Sequence, residues 1–215
     1  LMFEIIPGIL EKDWEAIAKK IEIVKPFAKA IHIDILDSKL FPNTTFLDPA
    51  PFKKYSADIF FELHMMVEEP IQYLKSFAEA GFRRFIGHVE EMSDQAEFVV
   101  KAKSLGEVGL AIDGPTSLES IKVPFSDLDC VLIMTIKAGF SGQAFNLEHL
   151  EKVRVLRSAP NNIKIPIEID GGINEQTILP AKAAGANRFV STSSIFGAPN
   201  PEEQFNLLKK IVAPA

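Results

Sequence analysis

The chain of 215 residues has a single cysteine, Cys130. An intrachain disulfide is therefore excluded. Cys130 stands in the apolar run Cys130-Val-Leu-Ile-Met134 with no basic neighbour in sequence to lower its pKa, so it reads as a small buried hydrophobe and not a nucleophile. A reducing, cytoplasmic setting is the expectation. No basic run is present, and the net charge is −6 with a pI near 5.3, which argues against a nucleic-acid partner. An anionic ligand must then be held by local donors such as backbone N–H groups and helix ends. No apolar stretch approaches the roughly 20 residues needed to cross a bilayer, so no membrane partner is expected. The N-terminus lacks a basic region followed by an apolar stretch, and no secretory signal is expected. Internal repeats, low-complexity segments and linkers are also missing.

What is there is 47% hydrophobic and 24% charged residues, which suits one compact domain over 1–215. Short β-rich runs alternate with longer amphipathic stretches. The runs predict strands over Phe3–Ile6, Ala30–Ile35, Asp58–His64, Arg84–Gly87, Val108–Ile112, Cys130–Met134, Ile165–Ile169 and Arg188–Val190. The stretches predict helices over Lys12–Val24, Pro70–Ala80, Ser93–Ser104, Leu147–Ser158 and Glu175–Ala184. This alternation implies parallel βαβ units with right-handed crossovers. Eight strands in this length give an α/β fold, a single (β/α)8 TIM barrel near its minimum size. An open doubly wound sheet is the rival. It should gather its ligand-type residues at one switch point, whereas here they follow many strands.

Three of those strand ends carry ligand-type side chains: His32 and Asp34, then His64, then Asp170. His32 and Asp34 are two apart and share one side of their strand. In a barrel all four residues would face the C-terminal mouth, where function belongs. A His near a strand carboxylate is by itself most simply a hydrogen-bonded pair. Four such side chains with no cationic partner in view call for a divalent metal ion, which neutralises the carboxylates and satisfies the lone pairs. The nitrogen and oxygen donors suit Zn, Fe, Mn or Co better than calcium. Two carboxylates also make an acid/base pair.

Three glycine- or hydroxyl-rich segments follow strands six, seven and eight: Gly139-Phe140-Ser141-Gly142-Gln143, Asp170-Gly171-Gly172 and Ser191-Thr192-Ser193-Ser194. Glycines allow close backbone approach, and N–H groups at the start of a helix suit a phosphate, which such barrels often bind after strands seven and eight. Each segment alone reads equally well as a plain turn. Met66 and Met134 read as core filler, His88 as a satisfied wall histidine, His149 as a surface-helix residue without a role, and Glu90-Glu91 as a solvated helix start.

Together these residues resemble the ribulose-phosphate 3-epimerases, in order, along nearly the whole chain. The segments that carry the resemblance are His-Ile-Asp-Ile-Leu-Asp at 32–37 with Phe41-Pro-Asn43, and Glu62-Leu-His-Met-Met66. Leu132-Ile-Met134 with the loop 139–143, Glu168-Ile-Asp-Gly-Gly-Ile173 and Ser193-Ser-Ile-Phe-Gly197 complete it. The resemblance implies that His32, Asp34, His64 and Asp170 hold one metal ion, with Asp34 and Asp170 as the acid/base pair on opposite faces of a ketose 5-phosphate. One Asp removes the proton from carbon 3, a metal-stabilised cis-enediolate forms, and the other returns a proton to the far face. It also implies that Met66 and Met134 belong to a sulfur-lined shell. His64, Gly139, Phe140, Ser141, Gly142, Gly171, Gly172, Thr192 and Ser193 would contact substrate, mostly at its phosphate. A homo-oligomer, dimer or hexamer, is a further implication.

The substrate-facing loops depart from the family pattern. Gly8 stands where the family usually has Ser, Leu36 where it has Met, and Ser141 where it has Gly. Ser38-Lys39, Asp113-Gly114 and Lys137-Ala138 also differ. Thr192 stands where pentose-phosphate epimerases usually carry Gly and where allulose-6-phosphate 3-epimerases can show Thr. The reading is thus a metal-dependent 3-epimerase of D-ribulose 5-phosphate and D-xylulose 5-phosphate. A hexulose 6-phosphate such as D-allulose 6-phosphate is the alternative substrate. A catalytically lapsed sugar-phosphate-binding barrel is the second alternative.

Overall fold

The computed structural model describes residues 2–140, 142–158 and 164–213. Eight parallel strands close into a barrel in sequence order, as expected. They are β1 (Glu4–Ile9), β2 (Ala30–Leu36), β3 (Phe60–Met66), β4 (Phe82–His88), β5 (Glu107–Ile112), β6 (Cys130–Met134), β7 (Ile167–Asp170) and β8 (Arg188–Ser191). Closure comes from β1 pairing with β8, Glu4 opposite Arg188 and Pro7 opposite Ser191.

The helices are α1 (Trp14–Val24), α2 (Leu74–Glu79), α3 (Gln95–Lys103), α4 (Leu150–Ser158), α5 (Ile178–Ala184), α6 (Ser193–Phe196) and α7 (Pro201–Val212). α1 starts two residues after the expected Lys12, because Asp13 is its N-cap and its carboxylate accepts from the Ala16 N–H. Ile17, Ile21 and Val24 then bury one stripe. The single helix expected over Pro70–Ala80 is a 3-10 turn, Pro70–Gln72, followed by α2. α5 begins late because the Asn174 side chain accepts from the N–H groups of Gln176 and Thr177, which makes the expected first turn an Asx turn. Only 3-10 turns lie between β2 and β3 and between β5 and β6. β1 runs to Ile9, three residues beyond its expected end, through Pro7 and Gly8.

Strand alternation divides the interior in two. One parity faces the helices: Ile31, Ile33, Ile35, Phe61, Leu63 and Met65 join the large apolar shell with Ile17, Phe77, Phe98 and Leu208. The other parity fills the lumen. Its apolar part is a smaller cluster around Leu36, Met66, Ile86, Leu132 and Met134, with Cys130 fully buried among them. Burial raises the Cys130 thiol pKa far above its ordinary value, in keeping with an inert hydrophobe. The rest of the lumen is polar, and that polar column forms the site.

Candidate active site

Parity assembles the site. His32 and Asp34 on β2, Glu62 and His64 on β3, Arg84 and His88 on β4, and Glu168 and Asp170 on β7 all point into the lumen. The β2–β3 register sets His32 opposite Glu62 and Asp34 opposite His64, and the β3–β4 register sets Glu62 opposite Arg84. Side-chain hydroxyls fix the strand ends. Thr45 donates to the carbonyl of Asp34 and accepts from the N–H of Leu36. Thr135 donates to the carbonyls of Asp170 and Gly171.

The four expected ligands converge. Asp34 Oδ1 lies 3.2 Å from His32 Nε2 and 2.8 Å from His64 Nδ1. Asp170 Oδ2 lies 3.5 Å from His64 Nδ1 and 3.9 Å from His32 Nε2. One donor atom from each residue falls within 4.8 Å of every other. Ligands about 2.1 Å from a tetrahedral ion stand about 3.4 Å apart, so these separations bracket what a small divalent ion requires. The residues therefore fit a metal ion, and their nitrogen and oxygen donors favour a first-row transition ion or zinc.

Beneath this cluster lies a second polar layer. His32 Nδ1 stands 2.5 Å from Glu62 Oε1, Arg84 donates to the other oxygen of Glu62, and Arg84 Nε donates to Glu107 at 2.7 Å. Burial opposes ionisation of Glu62, but Arg84 and His32 outweigh it and hold the carboxyl far below its usual range. Glu168 lies 3.4 Å from His32 Nδ1. Burial first, then the charge of Glu62, pushes its carboxyl up to about 7. For Asp34, burial is again overcome, here by His32 and His64, and the carboxyl is held at about 2. Both imidazoles are correspondingly raised against their burial: His32 chiefly by the charge of Asp34, His64 by its bonds to Asp170 and Asp34.

Above the cluster a cavity opens to solvent, with about 420 Å³ of empty space when the open solvent at its mouth is included. Asp34 forms part of its floor from β2 and Asp170 from β7, two strands separated around the barrel by β8 and β1. Met66, Met134, Leu10 and Ile136 give it apolar walls, Gly139, Phe140 and Gly142 one rim, and Gly171, Gly172, Thr192 and Ser193 another. Among the described residues no lysine or arginine lines it. Gly171 and Gly172 have φ of 113° and 70°, and a Cβ on Gly171 would sit 2.9 Å from the Ile136 backbone nitrogen, so the turn depends on glycine. Ser141 lies outside the described residues. His32 and His64 are fully buried below the cavity and do not line it.

Several residues of the site escape a reading of the sequence alone. Glu62, Arg84 and Glu168 form the lower layer, and their signal is parity: each stands an even number of residues before a mouth-facing residue on its own strand. Glu90 is not a solvated helix start. It pairs with His88 at 3.0 Å and accepts from the Asp113 N–H. His149 is likewise half-buried, with its Nδ1 3.0 Å from the Met134 carbonyl oxygen.

Comparison with known proteins agrees with this geometry. Residues 4–196 match the model of the ribulose-phosphate 3 epimerase family. The ribulose-phosphate 3-epimerase of Schizosaccharomyces pombe is 34% identical, over 99% of this chain and 95% of its own. That of Bacillus subtilis is 34% identical over 91% of this chain and 93% of its own. Among solved structures, KGPDC from Streptococcus mutans superposes with a TM-score of 0.74 at 11% identity, covering 99% and 98% of the two chains. The 3-hexulose-6-phosphate synthase of Salmonella typhimurium gives 0.67 at 14%, over 97% and 98%. At those identities the structural likeness speaks for the barrel alone.

Proposed function

Because the chain belongs to the ribulose-phosphate 3-epimerase family and is thereby an isomerase of carbohydrates, we propose that it interconverts D-ribulose 5-phosphate and D-xylulose 5-phosphate. The observation that carries this reading is the meeting of four donor atoms below a cavity whose floor holds two carboxylates from distant strands. Epimerisation at carbon 3 needs a proton taken from one face and one delivered to the other. Asp34 and Asp170 answer that need from β2 and β7. One accepts the carbon-3 proton as the cis-enediolate forms, and the other donates to the opposite face, so their roles exchange with the direction of reaction.

His32, Asp34, His64 and Asp170 would hold one divalent ion, which when bound supplies an electrophile for the charge that develops on substrate oxygen. Met66 and Met134 pack an apolar, water-poor wall against the reacting carbons. Gly171, Gly172, Thr192 and Ser193, with Gly139, Phe140 and Gly142 across the cavity, would receive the rest of the substrate. With no cationic side chain among the described residues of the walls, the phosphate would rest on backbone N–H groups and hydroxyls. His64 would act on substrate through the ion, since it lies below the cavity floor.

Thr192 favours a second reading, a hexulose 6-phosphate such as D-allulose 6-phosphate, because it brings a hydroxyl-bearing side chain to the cavity lining. The test is kcat/KM for pentulose and hexulose phosphates on protein depleted with chelator and reloaded with Zn, Fe, Mn or Co. Turnover of D-ribulose 5-phosphate that disappears with chelation and returns with metal supports the first reading. A ratio favouring the hexulose supports the second. No turnover of either by reloaded protein would leave only a lapsed binding barrel.

A further inference from the structure

We propose that Glu90 and His88 are positioning residues that fix the tautomer of His64 and so leave its Nδ1 lone pair aimed at the metal. This rests on the metal-dependent reading above. Neither residue touches the four-ligand cluster except through His64.

Protons can be counted along a chain of contacts. Glu90 Oε2 is 3.0 Å from His88 Nδ1, and Glu90 Oε1 accepts from the Asp113 N–H at 2.7 Å. Burial opposes ionisation of Glu90, but its bonds with His88 and its neighbours hold the carboxyl at about 2, so at neutral pH it can only accept. His88 must then place a proton on Nδ1. Among the described residues the carboxylate that pairs with His88 is Glu90, on Nδ1, so a second ring proton in this fully buried position would meet no carboxylate. The Nε2 of His88 is left as an acceptor. That atom lies 2.8 Å from His64 Nε2, and a contact this short between two ring nitrogens requires one donor. His64 must therefore carry a proton on Nε2. Its Nδ1, 2.8 Å from Asp34 Oδ1 and 3.5 Å from Asp170 Oδ2, donates to Asp34 in the metal-free protein, and this nitrogen gives up its proton when a metal ion binds.

The packing holds this chain in place. The His64 and His88 rings stack at 4.9 Å with 24° between planes, and Phe41 meets His88 edge-on at 5.6 Å. Glu90 also ties the chain to the cavity rim. It anchors the N–H of Asp113, whose own carboxylate accepts from the Ala138 N–H, next to Gly139. His32 reaches the same end by a different route, with Glu62 taking the Nδ1 proton and Nε2 left toward the cluster. Carboxylates set behind histidine ligands in this way are worth about 10–100-fold in metal affinity.

Two isosteric changes separate positioning from mere packing. In Glu90→Gln, the amide oxygen stays with the Asp113 N–H and the amide NH2 faces His88 Nδ1. That reverses the proton order: His88 Nε2 becomes the donor, His64 Nε2 loses its proton, and the proton on His64 Nδ1 is the one that stays. In His88→Gln, the carbonyl still accepts from His64 Nε2–H and the NH2 still donates to Glu90, so the order survives although the ring is lost. Zinc affinity is read by chelator competition on the full chain, and the histidine tautomers by 15N NMR of the zinc-free and zinc-loaded protein. The expected result is roughly a 10–100-fold loss of zinc affinity in Glu90→Gln, with the His64 Nε2 proton lost and Nδ1–H retained in the zinc-free form, and about 3-fold or less in His88→Gln. Wild-type affinity in Glu90→Gln, or an equal loss in His88→Gln, overturns the proposal. Failure of the wild-type protein to take up zinc at the cluster would instead sink the metal-dependent reading on which it stands.

Discussion

Thr192 occupies the space that a side chain on Gly8 would need. A Cβ added to Gly8 would lie 2.4 Å from Thr192 Oγ1 and 2.8 Å from Val190 Cγ1. The pair faces across the β1–β8 seam at the cavity rim. Gly8→Ser alone should therefore clash, with a stability loss of about 1–3 kcal/mol and lower kcat/KM, as overpacking of a tight site gives. Gly8→Ser with Thr192→Gly should recover most of both losses and move the pentulose-to-hexulose ratio. Thermal melts and the two kcat/KM values complete a double-mutant cycle. Additive effects would show that the two positions do not share one space.

Arg84 is 4% exposed and holds Glu62 below His32, with Glu107 on its other side. Arg84→Met should cost about 3–5 kcal/mol, because it leaves buried carboxylates without their counter-charge. Urea unfolding measures this. A loss under about 1 kcal/mol would mean that the lower layer reprotonates without consequence.

The metal-free protein should lose stability as pH rises above about 5. Glu168 is raised to about 7 from 4.5, so the folded state binds the extra proton between those values, and its contribution disappears as pH climbs through the window. His32 and His64 are raised above 6.5, and their contribution, fully present below 6.5, is likewise lost as pH rises through their folded values. Asp34 and Glu90, each lowered to about 2, act oppositely, but their contribution is lost only as pH falls from about 4 toward 2. A slope of about 1.4 kcal/mol per pH unit is expected for each proton of difference. Denaturant titrations of metal-free protein at pH 5 and pH 8 check the sign, and Glu168→Gln should flatten the part between 4.5 and 7. Equal or higher stability at pH 8 would contradict it.

Zinc uptake should release protons, since ions replace the protons on His32 and His64. Calorimetry near pH 6.5 in buffers of different ionisation enthalpy counts them. About one or two released per ion is the expected outcome, and none would place the ion elsewhere.

Gly171→Ala should raise KM by about 10-fold or more, because an alanine at φ 113° is strained and its Cβ would press on the Ile136 backbone. If Gly171 and Gly172 shape the phosphate seat, inhibition by inorganic phosphate should weaken in parallel. An unchanged phosphate affinity would detach this turn from the phosphate.

The barrel is legible in the sequence because its strands are short and largely apolar, five of them are followed by an amphipathic stretch, and parallel pairing leaves few other arrangements. His32, Asp34, His64 and Asp170 are legible for a similar reason: a polar residue at the end of an apolar strand has few places to go except the mouth. Glu62, Arg84 and Glu168 lie deeper in the same barrel, and their pairing depends on the register of β2 on β3 and β3 on β4, which no single strand encodes. His88 and Glu90 belong to the site through one contact of 2.8 Å between strands. Asn174 shows the same limit at short range. Its side chain captures two N–H groups that the hydrophobic period assigns to a helix. α7 is absent from the expected helices, although Asn200-Pro201 and the spacing of Phe205, Leu208 and Val212 signal it.

Two-faced proton transfer at carbon 3 by Asp34 and Asp170 is tested most directly by the reaction of metal-loaded protein with D-ribulose 5-phosphate in D2O, followed by 1H NMR of carbon 3. Incorporation of deuterium at carbon 3 together with formation of D-xylulose 5-phosphate is the expected result. A turnover loss of at least ~10²-fold is expected in Asp34→Asn and in Asp170→Asn. Absence of carbon-3 exchange in metal-loaded wild type, or exchange undiminished in both variants, would contradict it.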